Sequence, residues 1–265
     1  MSPPVAFGLV IAAFVTLHVL AWKLTDQRPR KVQVAAALLL TLLCLPGVWF
    51  AFYYLHVLPE PPLLYQLRSL SFGEGLLALF GAAAGAWRQV LPKLLKPLPT
   101  AAGLFLLAIP FLKPVFYPLD LTTLKEAWES DVCYQSSGVT CGPASAANIL
   151  RFLGDKEVTE RDLARESWSS QSSTEAWHLA RALRQRGYRV RFLAPDGLPT
   201  KEDLPGILGT GTKMAGHFIA VLGIENGEIH GIDSLNGRFR TPVEEFLKWV
   251  ELEPFFMSVQ PGSAQ

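Results

Sequence analysis

The stretch Val132-Cys133-Tyr134-Gln135-Ser136-Ser137-Gly138-Val139-Thr140-Cys141-Gly142-Pro143-Ala144-Ser145-Ala146-Ala147-Asn148-Ile149-Leu150 decides how this chain is read. From Gly142 to Leu153 the residues suit a helix: Pro143 is tolerated in its first turn, alanines follow, and Gly154 is placed to stop it. Thr140 or Cys141 then sits at the helix N-terminus. A thiol there meets unpaired backbone N–H groups and the positive end of the helix dipole, both of which favour thiolate. Cys141 is therefore a candidate nucleophile.

A nucleophile needs a base, and the base needs an orienting group. Gly216-His217-Phe218-Ile219-Ala220-Val221-Leu222-Gly223 is apolar and rich in β-branched residues, so it reads as a strand. Glu225-Asn226-Gly227 makes a turn into a second strand, Glu228-Ile229-His230-Gly231-Ile232, which ends at Asp233. Antiparallel pairing brings the start of the first strand beside the end of the second, and so His217 beside Asp233. Gln135, on the loop entering the helix, offers a side-chain amide that could join the Cys141 N–H as donor to a developing oxyanion. Each residue also has a plainer reading: Cys141 as an inert buried thiol, His217 as a structural strand residue, Asp233 as a turn residue before Asn236-Gly237, Gln135 as a solvated amide. Cys133 either lies near Cys141 by accident or, in an oxidising compartment, forms a disulfide with it. His178 and His230 read as surface positions. No Cys/His spacing suggests a metal site, and no cofactor is expected.

Gln135, Cys141-Gly142-Pro143-Ala144, Gly216-His217-Phe218 and Ile232-Asp233 together resemble the bacteriocin-processing, double-glycine leader peptidases of the papain-like clan and their stand-alone relatives. The resemblance runs roughly from Asp131 to Val259, and Gln171-Ser172-Ser173-Thr174 leading into Ala176 to Gly187 fits the family's second helical segment. It implies a cysteine peptidase with Cys141 as nucleophile, His217 as general base and acid, Asp233 as orienting residue and Gln135 as oxyanion donor. It also implies a peptide or protein substrate and a secretion or export system as partner. Two features depart from the family: Ser234 stands where proline is common, and no ATP-binding cassette follows.

The flanking residues complete an α+β domain. Thr159 with Asp162 forms a capping-box-like helix start, Thr174 or a neighbouring Ser starts the next helix, and Gly187 ends it. Arg189 to Leu193 reads as a strand, Glu202 to Leu208 is ambiguous, Thr241 caps a helix from Pro242 to Val250, and Phe255 to Val259 closes the sheet. Helices first and an antiparallel sheet afterwards place the site at the helix–sheet seam.

Upstream, the composition changes. Residues 1–117 carry nine cations and three anions, whereas 118–265 carry fifteen and twenty, so the net charge of +1 conceals two unlike halves. Half of the 265 residues are hydrophobic, which excludes a disordered chain, and 3 Cys cannot build a disulfide scaffold. No basic stripe interleaved with aromatics supports nucleic-acid binding. Four apolar stretches, Val5 to Trp22, Val32 to about Leu55, about Leu70 to Trp87 and about Thr100 to Tyr117, are each close to the ~20 residues that cross a bilayer, with charges between them. Gly81 and Gly85 would let a neighbouring helix approach, Pro46 and Pro110 would kink their helices, Cys44 reads as a buried hydrophobe, and His18 and Glu74 read as packing or interfacial groups. Lys23, Arg28, Arg30 and Lys31 after the first stretch, and Arg88, Lys93 and Lys96 after the third, face only Arg68 after the second. That asymmetry places the first and third loops in the cytoplasm and both termini outside, although transporter-coupled members of the family keep the peptidase in the cytosol. The expectation is a four-helix transmembrane domain (1–117), a linker (118–130) and an extracytoplasmic papain-like peptidase domain (131–265) acting on exported or membrane-associated peptides. The alternatives are another thiol acyl transfer, as in an amidase or transpeptidase, and a non-catalytic peptide-docking module.

Overall fold

A computed structural model describes residues 1–55, 60–125, 128–211 and 216–262. Residues 126 and 127 of the expected linker, and 212–215 and 263–265 of the expected peptidase domain, lie outside the described residues. The chain divides into two units, one of Met1–Glu60 with Leu70–Tyr117 and one of Pro61–Ser69 with Pro118–Gln265. The first expected domain is thus interrupted, because residues 61–69 join the second unit.

The first unit is helical: α1 (Pro3–Thr25), α2 (Arg30–Leu43), α3 (Leu45–Leu55), and, beyond α4 (Pro62–Arg68) of the second unit, α5 (Leu79–Val90) and α6 (Pro97–Phe111). Three helical segments are long and apolar enough to cross a membrane, Pro3–Thr25, Arg30–Phe50 and Lys93–Phe116. The expected third stretch differs. It is a 3-10 segment, Gly73–Ala78, running into α5 and preceded by left-handed Phe72, and it meets the length test only with α4, across a bend of 87°. A Cβ on Gly81 would lie 2.1 Å from the Phe14 carbonyl oxygen and one on Gly85 2.2 Å from that of His18, so these glycines let α1 and α5 touch backbone to backbone. Arg30 donates to the carbonyls of Gln89, at 2.9 Å, and Val90, joining the first and third loops at one end of the bundle.

The second unit is built on a six-stranded antiparallel sheet. Its elements are β1 (Trp128–Glu129), β2 (Val132–Cys133), α7 (Cys141–Phe152), α8 (Glu160–Glu166), α9 (Ala176–Gln185), β3 (Tyr188–Leu193), β4 (Gly206–Thr210), β5 (His217–Glu225), β6 (Glu228–Asp233), β7 (Gly237–Pro242), α10 (Val243–Trp249) and β8 (Leu252–Pro261). The sheet order is β3-β8-β4-β5-β6-β7, with β1 and β2 as a separate pair. One face packs Val190, Ile207, Ala220, Ile232 and Met257 against Ala144, Ile149, Leu163, Leu179 and Leu183 of α7, α8 and α9. The other face packs Leu208, Ile219, Val221 and Ile229 beneath Phe246 of α10. This is the α+β arrangement.

Local chemistry accounts for most boundaries. Thr159 accepts from the Asp162 N–H at 3.0 Å and starts α8. Gly154 and Gly187, at φ +106° and +89°, end α7 and α9 where a side chain would be strained. Three expectations are corrected. The residue before α9 is Glu175 rather than a hydroxyl, with no side-chain cap; Thr241 belongs to β7, because pairing with Ile229 claims its backbone, and Pro242 precedes α10. His178 is 2% exposed between Trp168 and Trp177, not on a surface.

α4 contributes to this second unit. Tyr65 stacks on Phe192 at 5.1 Å and meets Phe255 edge-on at 5.3 Å, while Arg68, 2% exposed, lies over the Trp177 ring at 5.1 Å. Arg181 donates to the Arg68 carbonyl at 2.8 Å and Arg184 to that of Ser69 at 3.1 Å, placing two cations at the negative end of α4.

The β5–β6 hairpin has one irregularity. Glu225 pairs with Glu228 and Gly223 with His230, but Val221 pairs with Gly231, so Leu222 is an extra residue on β5. A Cβ on Gly231 would lie 2.2 Å from the Ala220 carbonyl oxygen, a backbone atom that cannot turn aside. Gly231→Ala is therefore expected to break this register and lower the thermal midpoint of the second unit, with loss of any Cys141-dependent activity. Circular dichroism on the purified protein and iodoacetamide labelling of Cys141 measure the two effects.

Candidate active site

The candidate site is assembled by two segments, 132–148 and 217–236. Cys141 is the first residue of α7, and the Thr140 hydroxyl does not cap that helix; it donates instead to the Ser137 carbonyl at 3.0 Å. Pro143 has no N–H, so the first turn is served by the amides of Cys141 and Gly142. Gly142 is enclosed by Leu179, Phe218 and Thr174, all within 4 Å of where a Cβ would be, which seats the start of α7 against β5.

His217 opens β5 and Asp233 closes β6. The His217 Nε2–H donates to Asp233 Oδ1 at 2.8 Å, and the Cys141 side chain stands near enough to the ring to raise its pKa. Asp233 is further fixed by the Leu235 N–H at 2.9 Å and the Asn236 amide at 2.7 Å. Burial pushes the Asp233 carboxyl up, but the hydrogen bonds from His217, Leu235 and Asn236 outweigh it and hold the group below the usual carboxylate range. The bond to Asp233 and then the Cys141 side chain raise His217 to about 9 against the opposing effect of burial.

Gln135 is held at the same end of the hairpin. Its backbone N–H donates to the Ser234 carbonyl at 3.0 Å, and its side-chain Nε2 donates to the Ser137 carbonyl at 2.8 Å. The neighbouring Ser136 is anchored by buried Glu160, whose carboxylate accepts from the Ser136 N–H at 2.9 Å and hydroxyl at 2.5 Å. Cys133 is a free buried thiol, so no disulfide joins it to Cys141. Among the described residues no group of three or more His, Cys, Asp or Glu could hold a metal ion.

Two structural residues of the site are missed by the sequence reading. The Ser145 hydroxyl donates to the Phe218 carbonyl at 2.9 Å, and Asn148 accepts from the Cys133 N–H at 2.7 Å while donating to its carbonyl at 2.9 Å. Cys141, Ser145 and Asn148 are spaced i, i+4 and i+7, so one face of α7 carries the thiol, the anchor of the histidine strand and the anchor of the segment leading to Gln135. The signal was present as two polar residues on an otherwise apolar, alanine-rich helix.

No protein-family model matches the chain. An uncharacterized protein of Methanothermobacter marburgensis is similar to it, 29% identical over 114 residues that cover 43% of this chain and 78% of that protein. Among solved structures, the peptidase domain of Streptococcus ComA, a bifunctional ABC transporter involved in a quorum sensing pathway, is 20% identical with a TM-score of 0.40, covering 48% of this chain and 96% of that one. A double glycine motif protease from an AMS/PCAT transporter, solved in complex with the leader peptide, is 20% identical with a TM-score of 0.40, covering 49% and 90%. At this distance the chemistry of the site rests on its own geometry.

Two measurements follow from that geometry. Asn148→Leu removes the side chain that bonds both the N–H and the carbonyl of buried Cys133, and a loss of about 2 kcal/mol is expected in chemical denaturation of the second unit. His217 keeps its proton in the folded state up to about 9, whereas the unfolded value is 6.5, so the stability it contributes is complete below pH 6.5 and lost as the pH rises through about 9. The thermal midpoint should fall across that window in the wild type and fall less in His217→Ala.

Proposed function

We propose that the chain is a membrane-anchored cysteine peptidase with a Cys141-His217-Asp233 triad. The observation that carries the reading is the His217 ring, bonded to Asp233 at 2.8 Å and raised in pKa by the neighbouring Cys141 at the start of a helix. In this mechanism the Cys141 thiolate attacks the peptide carbonyl carbon and forms a C–S bond. The resulting oxyanion accepts hydrogen bonds from the Cys141 N–H and the Gln135 amide. The His217 imidazolium gives its proton to the amine as the C–N bond breaks. Water, deprotonated by neutral His217, then hydrolyses the thioester and returns the thiol. Asp233 stabilises the imidazolium and sets the ring orientation throughout.

The membrane reading is supported by parity. Residues 61–69 and 118–262 belong to one unit and so lie on one side of a bilayer, which requires residues 70–117 to cross it an even number of times. Lys93–Phe116, long and apolar enough to cross, serves as one crossing in this reading. Gly73–Val90, six 3-10 and twelve α-helical residues, is roughly 30 Å long and is the other. The cations of the first and third loops then mark the cytoplasmic face, leaving the peptidase unit outside. Substrates reached from there are membrane-associated peptides or peptides leaving the cell.

Comparing released peptides by mass spectrometry of membrane and secreted fractions tests the activity and reads the cleavage sequence. Cys141→Ala should abolish the wild-type products, and identical peptide sets from the two proteins would overturn the reading. Catalysis needs the imidazolium, so kcat/KM should decline as the pH passes about 9, and Asp233→Asn should move that decline to lower pH. An alkaline phosphatase fused after Gln265 should be active; an inactive fusion of normal abundance would place the domain in the cytosol.

A further inference from the structure

Ser234 directly follows the carboxylate that orients His217, and it is 1% exposed. Its hydroxyl donates to Gln135 Oε1 at 2.8 Å. Gln135 is thereby held at both ends of its amide, because Nε2 donates to the Ser137 carbonyl at 2.8 Å. A carboxamide has nearly the same shape when its oxygen and nitrogen are exchanged, so its orientation is set by what it bonds. The Ser137 carbonyl can only accept and the Ser234 hydroxyl supplies a donor, and together they specify one orientation. One amide hydrogen is spent on Ser137, and the second remains for a ligand.

We propose that Ser234 is a positioning residue of the oxyanion site, pinning the carbonyl end of Gln135 so that the free amide N–H is presented to the tetrahedral intermediate. The proposal rests on the peptidase reading above and extends it. Consecutive residues at the end of β6 then have divided roles: Asp233 orients the base and Ser234 orients the oxyanion donor. The hydroxyl is not needed to hold the loop. The Gln135 N–H to Ser234 carbonyl bond, at 3.0 Å, is backbone to backbone, and Glu160 fixes Ser136 independently through bonds at 2.9 and 2.5 Å. Removing the hydroxyl should therefore loosen the amide and leave the fold and the thiol–imidazole pair in place.

The test uses the full chain in detergent and two small probes. p-Nitrophenyl acetate acylates a thiol through a tetrahedral oxyanion and releases p-nitrophenol as a burst, whereas iodoacetamide alkylates the same thiol by displacing iodide, with no oxyanion formed. Ser234→Ala should lower the acylation rate constant roughly 10-fold, less than the ~10²–10³ lost when an oxyanion donor is removed outright, while leaving the iodoacetamide rate and its pH profile unchanged. Ser234→Thr should restore acylation. Gln135→Ala should lose more, and the double variant Ser234→Ala/Gln135→Ala should be no slower than Gln135→Ala alone, because Ser234 acts through Gln135. Wild-type acylation by Ser234→Ala, equal losses toward both probes, failure of Ser234→Thr to rescue, or additive losses in the double variant would each overturn the proposal. If the wild type reacts with both probes no faster than Cys141→Ala, the peptidase reading itself fails and this proposal with it.

Discussion

His217 and Asp233 meet because β5 carries one residue more than β6 can pair. Before the irregularity, odd-numbered Ile219 and Val221 face α10; beyond it, even-numbered Ile224 takes that face. The pairing of Ala220 with Ile232, continued by one residue, sets Asp233 opposite Ile219, on the same face as His217 two residues away. Without the extra residue Asp233 would stand opposite Ala220, and its carboxylate and the imidazole would project from opposite faces of the sheet. The 2.8 Å bond is a product of that register. The raised His217 and the lowered Asp233 follow from it.

The second requirement is that the thiol arrive at the same place, and α7 meets it with one face. Its polar residues would each be costly in a buried helix if left unpaired. Instead Ser145 fixes the carbonyl of Phe218, next to His217, and Asn148 fixes both backbone groups of Cys133, two residues before Gln135. The helix therefore carries Cys141 and also sets its distance from the segments that hold His217 and Gln135.

This division explains what could be read without coordinates. Helix starts and stops are local chemistry, so Thr159, Gly154 and Gly187 were legible. So was the hairpin, because Asn226-Gly227 has the backbone freedom its turn needs; both residues have positive φ. Cys141, His217 and Asp233 were legible as a pattern of residue types, but their face parity was not, since an inserted residue leaves no mark on an apolar run such as Ile219 to Gly223. Strand β7 gives no burial signal, because Phe239 is its one large apolar residue among Arg238, Arg240 and Thr241. Residues 61–69 were assigned by sequence neighbourhood to the first half. Their partners lie more than a hundred positions away, as in the bonds of Arg181 to Arg68 and Arg184 to Ser69, and no local rule reaches that far.

Those residues change what counts as the second unit. Arg181 and Arg184 lie close enough that burial, and then the charge of Arg181, lower the pKa of Arg184, so the pair is costly on its own. The last carbonyls of α4 offset that cost, because a helix C-terminus presents the partial negative charge that two neighbouring guanidinium groups require. On its other side α4 sets Tyr65 against Phe192 and Phe255, and Phe255 lies 5.3 Å from Phe218, the residue after His217. A continuous set of packed rings therefore joins the segment between the second and third apolar stretches to the strand that carries His217. Removing residues 61–69 would uncover an aromatic surface and take the α4 carbonyls from two partly buried arginines at once. The structural unit that supports Cys141, His217 and Asp233 consequently begins at Pro61, is interrupted by residues 70–117, and resumes at Pro118.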